Sequence, residues 1–137
     1  RPTKDKTAEF FEVCKSLADY VFLDCTSSLD DPLSVYGMAA ADKAVQLVTP
    51  DIRSAAYYAS FEKTYEQIKG KSIGVINITD KDLYLPVGEV KAGFANAKYI
   101  LPYSMYLKQQ YITGELTQKI PDQKFSAVCR GIAGAVL

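Results

Sequence analysis

The stretch "YVFLDCTSSLDDPLSVYGMAAADKAVQLVTP", Tyr20 to Pro50, decides how the chain is read. Its first six residues are a short apolar run, bounded by Asp19 before and by Thr26-Ser27-Ser28 after. Near-continuous apolarity over so few residues predicts a strand covered on both faces, as in a parallel sheet. Asp31 suits a helix N-cap and Pro32 the first helical position, so a short helix follows. "KAVQLVTP" then reads as a second strand. Strand, hydroxyl-rich loop, helix and strand in succession predict an α/β fold built on a parallel sheet flanked by helices.

The pattern continues on both sides. The first twenty residues predict a helix, with Phe10, Val13, Cys14 and Leu17 on one face. "DIRSAAYYASFEKTYEQIKG" predicts a long helix with Ile52, Ala55, Ala56, Ala59, Tyr65 and Ile68 inward and Gly70 as its C-terminal cap. "SIGVINIT" predicts a buried strand and "PVGEVKAGF" a short helix. "KYILP" predicts another strand, and "YSMYLKQQYITGEL" one or two helical turns. "PDQKFSAVCRGIAGAVL" predicts a closing helix that starts near Asp122, with Phe125, Val128, Ile132 and Val136 inward. Strands and helices thus alternate about four times. Without a repeat, a low-complexity segment or a linker, residues 1–137 read as one α/β domain.

Composition narrows the function classes. The chain has 137 residues, 48% of them hydrophobic and 23% charged, which is globular and not disordered. Lys plus Arg number 16, as do Asp plus Glu, so there is no overall basic surface for nucleic acid or lipid. There is no histidine, which removes Ser-His and Cys-His nucleophiles and the commonest metal ligand. Cys14, Cys25 and Cys129 are widely spaced and sit among apolar residues. They predict reduced core thiols of a cytoplasmic protein, not a zinc site.

Ligands of doubly wound folds bind beyond the carboxyl ends of the strands. Asp24 leaves the first strand, and an acid there suits a ligand that holds Mg²⁺ through water. An N-cap or loop acid bonded to backbone amides is the structural alternative. Thr26, Ser27 and Ser28 follow, able to orient a phosphate or simply to permit a tight turn. Thr49, Pro50 and Asp51 leave the second strand. Asn77 leaves the third, where its carboxamide can read a planar heterocycle or cap the strand. Pro102, Tyr103 and Ser104 leave the fourth. The pair Asp30-Asp31 reads as a solvated helix start. The ten tyrosines read as core edges or an interface stripe before they read as base-stacking platforms.

The run "ADYVFLDCTSSLDDPLSVYGMAAADKAVQLVTPDIRSAAYYASFEK" resembles the MinD/ParA group of P-loop ATPases, in the second half of their fold. "SIGVINIT" resembles that group's strand ending in a base-contacting asparagine. "KYILPYSMYLKQQYITGELTQKIP" resembles its segment lining the adenine. The resemblance covers nearly the whole chain and is nearest to the pilus-assembly branch, TadZ/CpaE-like. It implies ATP and Mg as cofactors, with Asp24 as the Walker B acid holding Mg through water. It implies Thr26, Ser27 and Ser28 as the switch loop, Asn77 on the adenine edge, and Pro102 and Tyr103 flanking the base. It also implies a homodimer driven by Mg·ATP that positions a cellular machine.

Two departures stand out. The family carries proline or glycine just after the acid, where this chain has "CTSSL". The glycine-rich phosphate loop has no counterpart: Gly70-Lys71-Ser72 lacks the preceding glycines and leads into a strand, not a helix. The chain is therefore expected to be the C-terminal part of a longer domain, inactive toward ATP by itself. A non-catalytic interaction module that keeps the fold and binds a protein partner is the alternative. A receiver-like or flavodoxin-like domain ranks third, since Asp24 and Asp30-Asp31 do not sit where a receiver's acids would.

Overall fold

The computed structural model describes residues 3–27, 31–81, 85–94, 96–115 and 117–137. The chain divides into two compact units, Arg1–Ala44 and Val45–Leu137.

In the first unit, helix α1 (Lys4–Leu17) packs on helix α2 (Pro32–Ala40). α2 starts as its sequence requires. Asp31 is extended, its carboxylate accepts from the Ser34 amide at 2.9 Å, and Pro32 follows in the first turn. The buried side of α1 is not the expected one. Phe11 and Thr7 are buried, whereas Phe10, Val13 and Leu17 are exposed. Gly37 of α2 sets this choice. A Cβ there would lie 3.4 Å from the Phe11 ring, so the missing side chain makes room for it. Thr7 tolerates burial because its hydroxyl donates to the Thr3 carbonyl at 3.0 Å.

The expected first strand, Tyr20–Cys25, does not form. Residues 20–26 have no regular secondary structure. Leu23 and Cys25 lie against Gly37, within 3.0 and 3.7 Å of a Cβ built there. Tyr20 and Phe22, on the alternate side, are 61% and 79% exposed. On the side facing Gly37, Val21 and Leu23 are still 40% and 39% exposed and Cys25 is half-buried, so the run is only partly covered there and less still on the other side. Apolar content favours burial, but a strand also needs a neighbour for its backbone N–H and C=O groups. No ladder partner for this run exists among the described residues.

The second unit is built on a three-stranded parallel sheet flanked by helices, in the order β1 (Ala44–Val48), β2 (Ser72–Asn77), β3 (Ala97–Leu101). Three of the four expected strands are thus present. The central strand β2 is buried from Ser72 to Ile76, while β1 and β3 alternate between half-buried and exposed residues. Ile73, Val75, Ile76, Phe94 and Phe125 form the core. Gly74 permits the closest approach in the sheet: its amide donates to the Asn96 carbonyl at 2.8 Å, and a Cβ would stand 2.6 Å from that same oxygen. The β2–β3 register shifts between Gly74 and Val75.

The long helix expected from Asp51 to Gly70 is broken into α3 (Ile52–Ser60) and α4 (Glu62–Glu66) at Phe61, followed by a 3₁₀ turn at Lys69–Lys71. Its expected inner face is mostly outside. Ile52 is 74% exposed, Ala55, Ala56 and Ala59 are exposed, and Tyr65 and Ile68 are half-buried. Gly70 does not act as a left-handed cap; among the described residues that conformation belongs to Gly114, after α6 (Met105–Thr113). The short helix α5 (Val87–Gly93) and the closing helix α7 (Gln123–Val136) form as expected, with Asp122 capping α7 through the Phe125 amide at 3.0 Å. The Tyr99 hydroxyl ties β3 to α7, donating to the Gly131 carbonyl at 2.9 Å. No helix among the described residues is long and apolar enough to cross a membrane.

Candidate functional site

The residues singled out from the sequence fall into both units. In the first, Asp24 is exposed and, with no strand formed, does not stand at a strand exit. Ser27 is exposed, and Ser28 lies outside the described residues. Thr26 is tied to the start of α2. Its amide donates to Ser34 Oγ at 3.0 Å, and the two hydroxyls are 3.4 Å apart. Ser34 Oγ in turn donates to Asp31 Oδ2 at 2.5 Å. The Ser34 hydroxyl, and then its amide, hold the Asp31 carboxyl below the usual carboxylate range. Asp31 is thus a structural cap, and Thr26 is linked to it through Ser34. Burial pushes the Cys25 thiol up, with smaller contributions from the charges of Asp24 and Asp31. This favours the neutral thiol over the reactive thiolate.

In the second unit, parallel pairing brings two of the singled-out positions together. Asn77 ends β2 and pairs with Leu101, the last residue of β3, and the Ile78 amide donates to the Leu101 carbonyl at 2.9 Å. Asn77 and Pro102-Tyr103 therefore leave adjacent strands at the same end of the sheet. All three are half-buried. The Asn77 carboxamide has no hydrogen-bond partner among the described residues, so both its donor and acceptor are available. The Tyr103 hydroxyl donates to Met105 Sδ at 3.6 Å. Ser104, buried at the start of α6, stands beside the carboxylate of Asp122. That carboxylate lies below its ordinary range chiefly because of the Phe125 amide; the buried Ser104 hydroxyl beside it makes no hydrogen bond of ordinary geometry.

Thr49 and Asp51, which leave β1, cap α3. Asp51 Oδ1 accepts from the Ser54 amide at 2.8 Å, and Asp51 Oδ2 accepts from the Thr49 hydroxyl. The Thr49 and Ser54 hydroxyls are 2.6 Å apart. The Thr49 hydroxyl, then the Ser54 amide, lower the Asp51 pKa.

A third group was not read from the sequence. Tyr58 stacks on Tyr65, with ring centroids 5.4 Å apart and planes within 5°, and meets Phe94 edge-on at 4.6 Å. Burial raises both phenols above their ordinary range, and neighbouring glutamates add to the rise at Tyr58. The i, i+7 spacing of Tyr58 and Tyr65 was the available signal, but Phe94 joins them through tertiary packing.

For the nucleotide implied by the resemblance, the residues present fit at one end only. The free carboxamide of Asn77 beside Pro102 and Tyr103 suits the edge of a base. The described residues form no glycine-rich nest for phosphates, their one positive-φ glycine, Gly114, being a helix cap. They also contain no group of three or more Cys, Asp or Glu able to hold a metal ion. Comparison with protein-family models, with curated proteins and with solved structures gave no match.

Proposed function

We propose that this chain is the base-reading part of a MinD/ParA-like ATP-binding domain, working by nucleotide-dependent dimerisation to position a cellular machine in the cytoplasm. One observation carries the reading: Asn77, with its carboxamide unengaged, leaves β2 directly beside Pro102-Tyr103 leaving β3. That is the end of a parallel sheet where ligands of such folds bind. In this reading Asn77 bonds the adenine edge, while Pro102 and Tyr103 flank its faces. The Mg²⁺ and switch roles that the resemblance implies for Asp24, Thr26, Ser27 and Ser28 are not part of this reading, because no strand forms to place Asp24 at its end. In this reading a phosphate cradle would have to be supplied from elsewhere, and these residues alone are expected to turn over no ATP. The TadZ/CpaE-like branch is the favoured relation.

A second reading is a non-catalytic interaction module. The exposure of Tyr20 and Phe22 on a segment without regular secondary structure favours it, because large exposed apolar groups mark surfaces that other proteins cover.

Titration of Mg·ATP separates the two, on this chain and on a longer chain carrying a phosphate loop, each with Asn77→Ala and Tyr103→Ala variants. Under the first reading the longer chain binds ATP and both substitutions weaken it about tenfold or more, equivalent to one lost hydrogen bond or one lost stacking contact. If the longer chain binds no ATP at millimolar concentration, the nucleotide reading falls and the interaction module takes its place.

A further inference from the structure

The unit Val45–Leu137 contains a cavity of about 340 Å³ between β1, α3 and α5. That is within the range of small-molecule sites, at its lower end. Its apolar wall includes Val48 at the end of β1, Tyr58 of α3, and Val90 and Phe94 from α5 and its cap. The Tyr58–Phe94 pair, edge to face at 4.6 Å, presents aromatic surface to whatever enters. None of Asn77, Pro102 and Tyr103 lines it.

The polar groups of the lining divide into two kinds. The hydroxyls of Thr49 and Ser54 are engaged with each other at 2.6 Å, and Thr49 also with Asp51. Glu62 and Glu89 are different: both residues belong to the lining and both are exposed, so their charge lies at the open side, and neither has an ion-pair partner among the described residues. No lysine or arginine is in the lining. Lys69, outside the lining, is held by Glu66 at 2.8 Å, and its charge reaches Tyr58 and, more weakly, Glu62. The cavity is therefore apolar and aromatic on its walls, and negative wherever it is charged.

We propose that this cavity is a binding site for a small organic cation, an aromatic or branched aliphatic body carrying one protonated amine. The body replaces water against Val48, Val90 and Phe94, which is favourable in proportion to the apolar area covered. The ammonium group lies toward Glu62 and Glu89 at the open side of the cavity, where their negative charge attracts it. Nucleotides and other anions are repelled by the same carboxylates, so this site is separate in chemistry from the one proposed at Asn77.

The test is an amide chemical-shift titration of the whole chain with three probes of one shape: 2-phenylethylammonium, 2-phenylethanol and phenylacetate. The cation is expected to bind about fivefold or more tighter than the alcohol at low salt, and the anion more weakly than either. Shifts should centre on Val48, Tyr58, Val90 and Phe94. The double variant Glu62→Gln/Glu89→Gln should bring cation and alcohol within about twofold of each other while the alcohol still binds. Ala59→Phe or, if that variant does not fold, Ala55→Leu should fill the cavity and abolish binding of both. Equal binding of cation and alcohol, a preference that survives the double variant, or shifts that map elsewhere would each overturn the proposal.

Discussion

Two apolar runs of six residues, "YVFLDC" at Tyr20–Cys25 and "SIGVIN" at Ser72–Asn77, look alike on paper and end differently. The second is a central strand, with Val75 and Ile76 at 0% exposure and neighbours on both edges. The first has no regular secondary structure and no ladder partner among the described residues, with Phe22 at 79% exposure. Hydrophobicity sets how much a segment gains from burial. Whether it becomes a strand depends on partners that satisfy its backbone. The contrast can be broken or sharpened by substitution at matched positions.

The largest effect is expected at Ile76. Truncation to Ala in a fully enclosed site should cost about 2–5 kcal/mol, read as a fall in the urea midpoint with an unchanged slope. Gly74→Ala should follow, at about 1–3 kcal/mol, because its new methyl group meets the backbone of Asn96 and not a yielding side chain. A third substitution concerns charge. The folded chain holds Asp51 below its ordinary pKa, so its contribution is complete above the unfolded value and is lost as the pH falls through the folded one. Asp51→Asn should therefore lower stability at neutral pH and flatten the acid limb of stability against pH below about 4. The smallest effect is expected at Phe22. Phe22→Ser should shift the midpoint by less than about 0.5 kcal/mol, since little contact is lost at an exposed site. A loss as large as that at Ile76 would show that the run is buried in solution and that the contrast is false.

Much of the second unit was legible in the sequence. β1, β2 and β3 announce themselves by short apolar runs between turn residues, and Asp31 and Asp122 cap the helices they were expected to cap. The failures share a cause. Counting apolar residues on α1 selects Phe10, Val13 and Leu17, but the space opened by Gly37 selects Phe11 and Thr7. The same counting carries one helix through Phe61, where the backbone breaks. Tyr20–Cys25 fails because a run cannot reveal whether its partner is present. Of the candidate site, the residues leaving each strand were named from the sequence, but the juxtaposition of Asn77 with Pro102-Tyr103 comes from the parallel pairing of β2 with β3, an order the runs themselves do not state. The capping roles of Thr49, Asp51 and Ser34 and the cavity behind Tyr58 depend on side-chain packing that no spacing encodes.

The burial of β2 has a practical consequence. Amide protons in the middle of such a strand reach solvent only when the surrounding unit opens as a whole, so their exchange rates report global stability. A ligand that binds the folded unit slows that exchange by the factor 1 + [L]/Kd. The amides of Val75 and Ile76 are therefore a built-in gauge. They would register the binding of a base beyond Asn77 or of a cation beside Tyr58 without touching either.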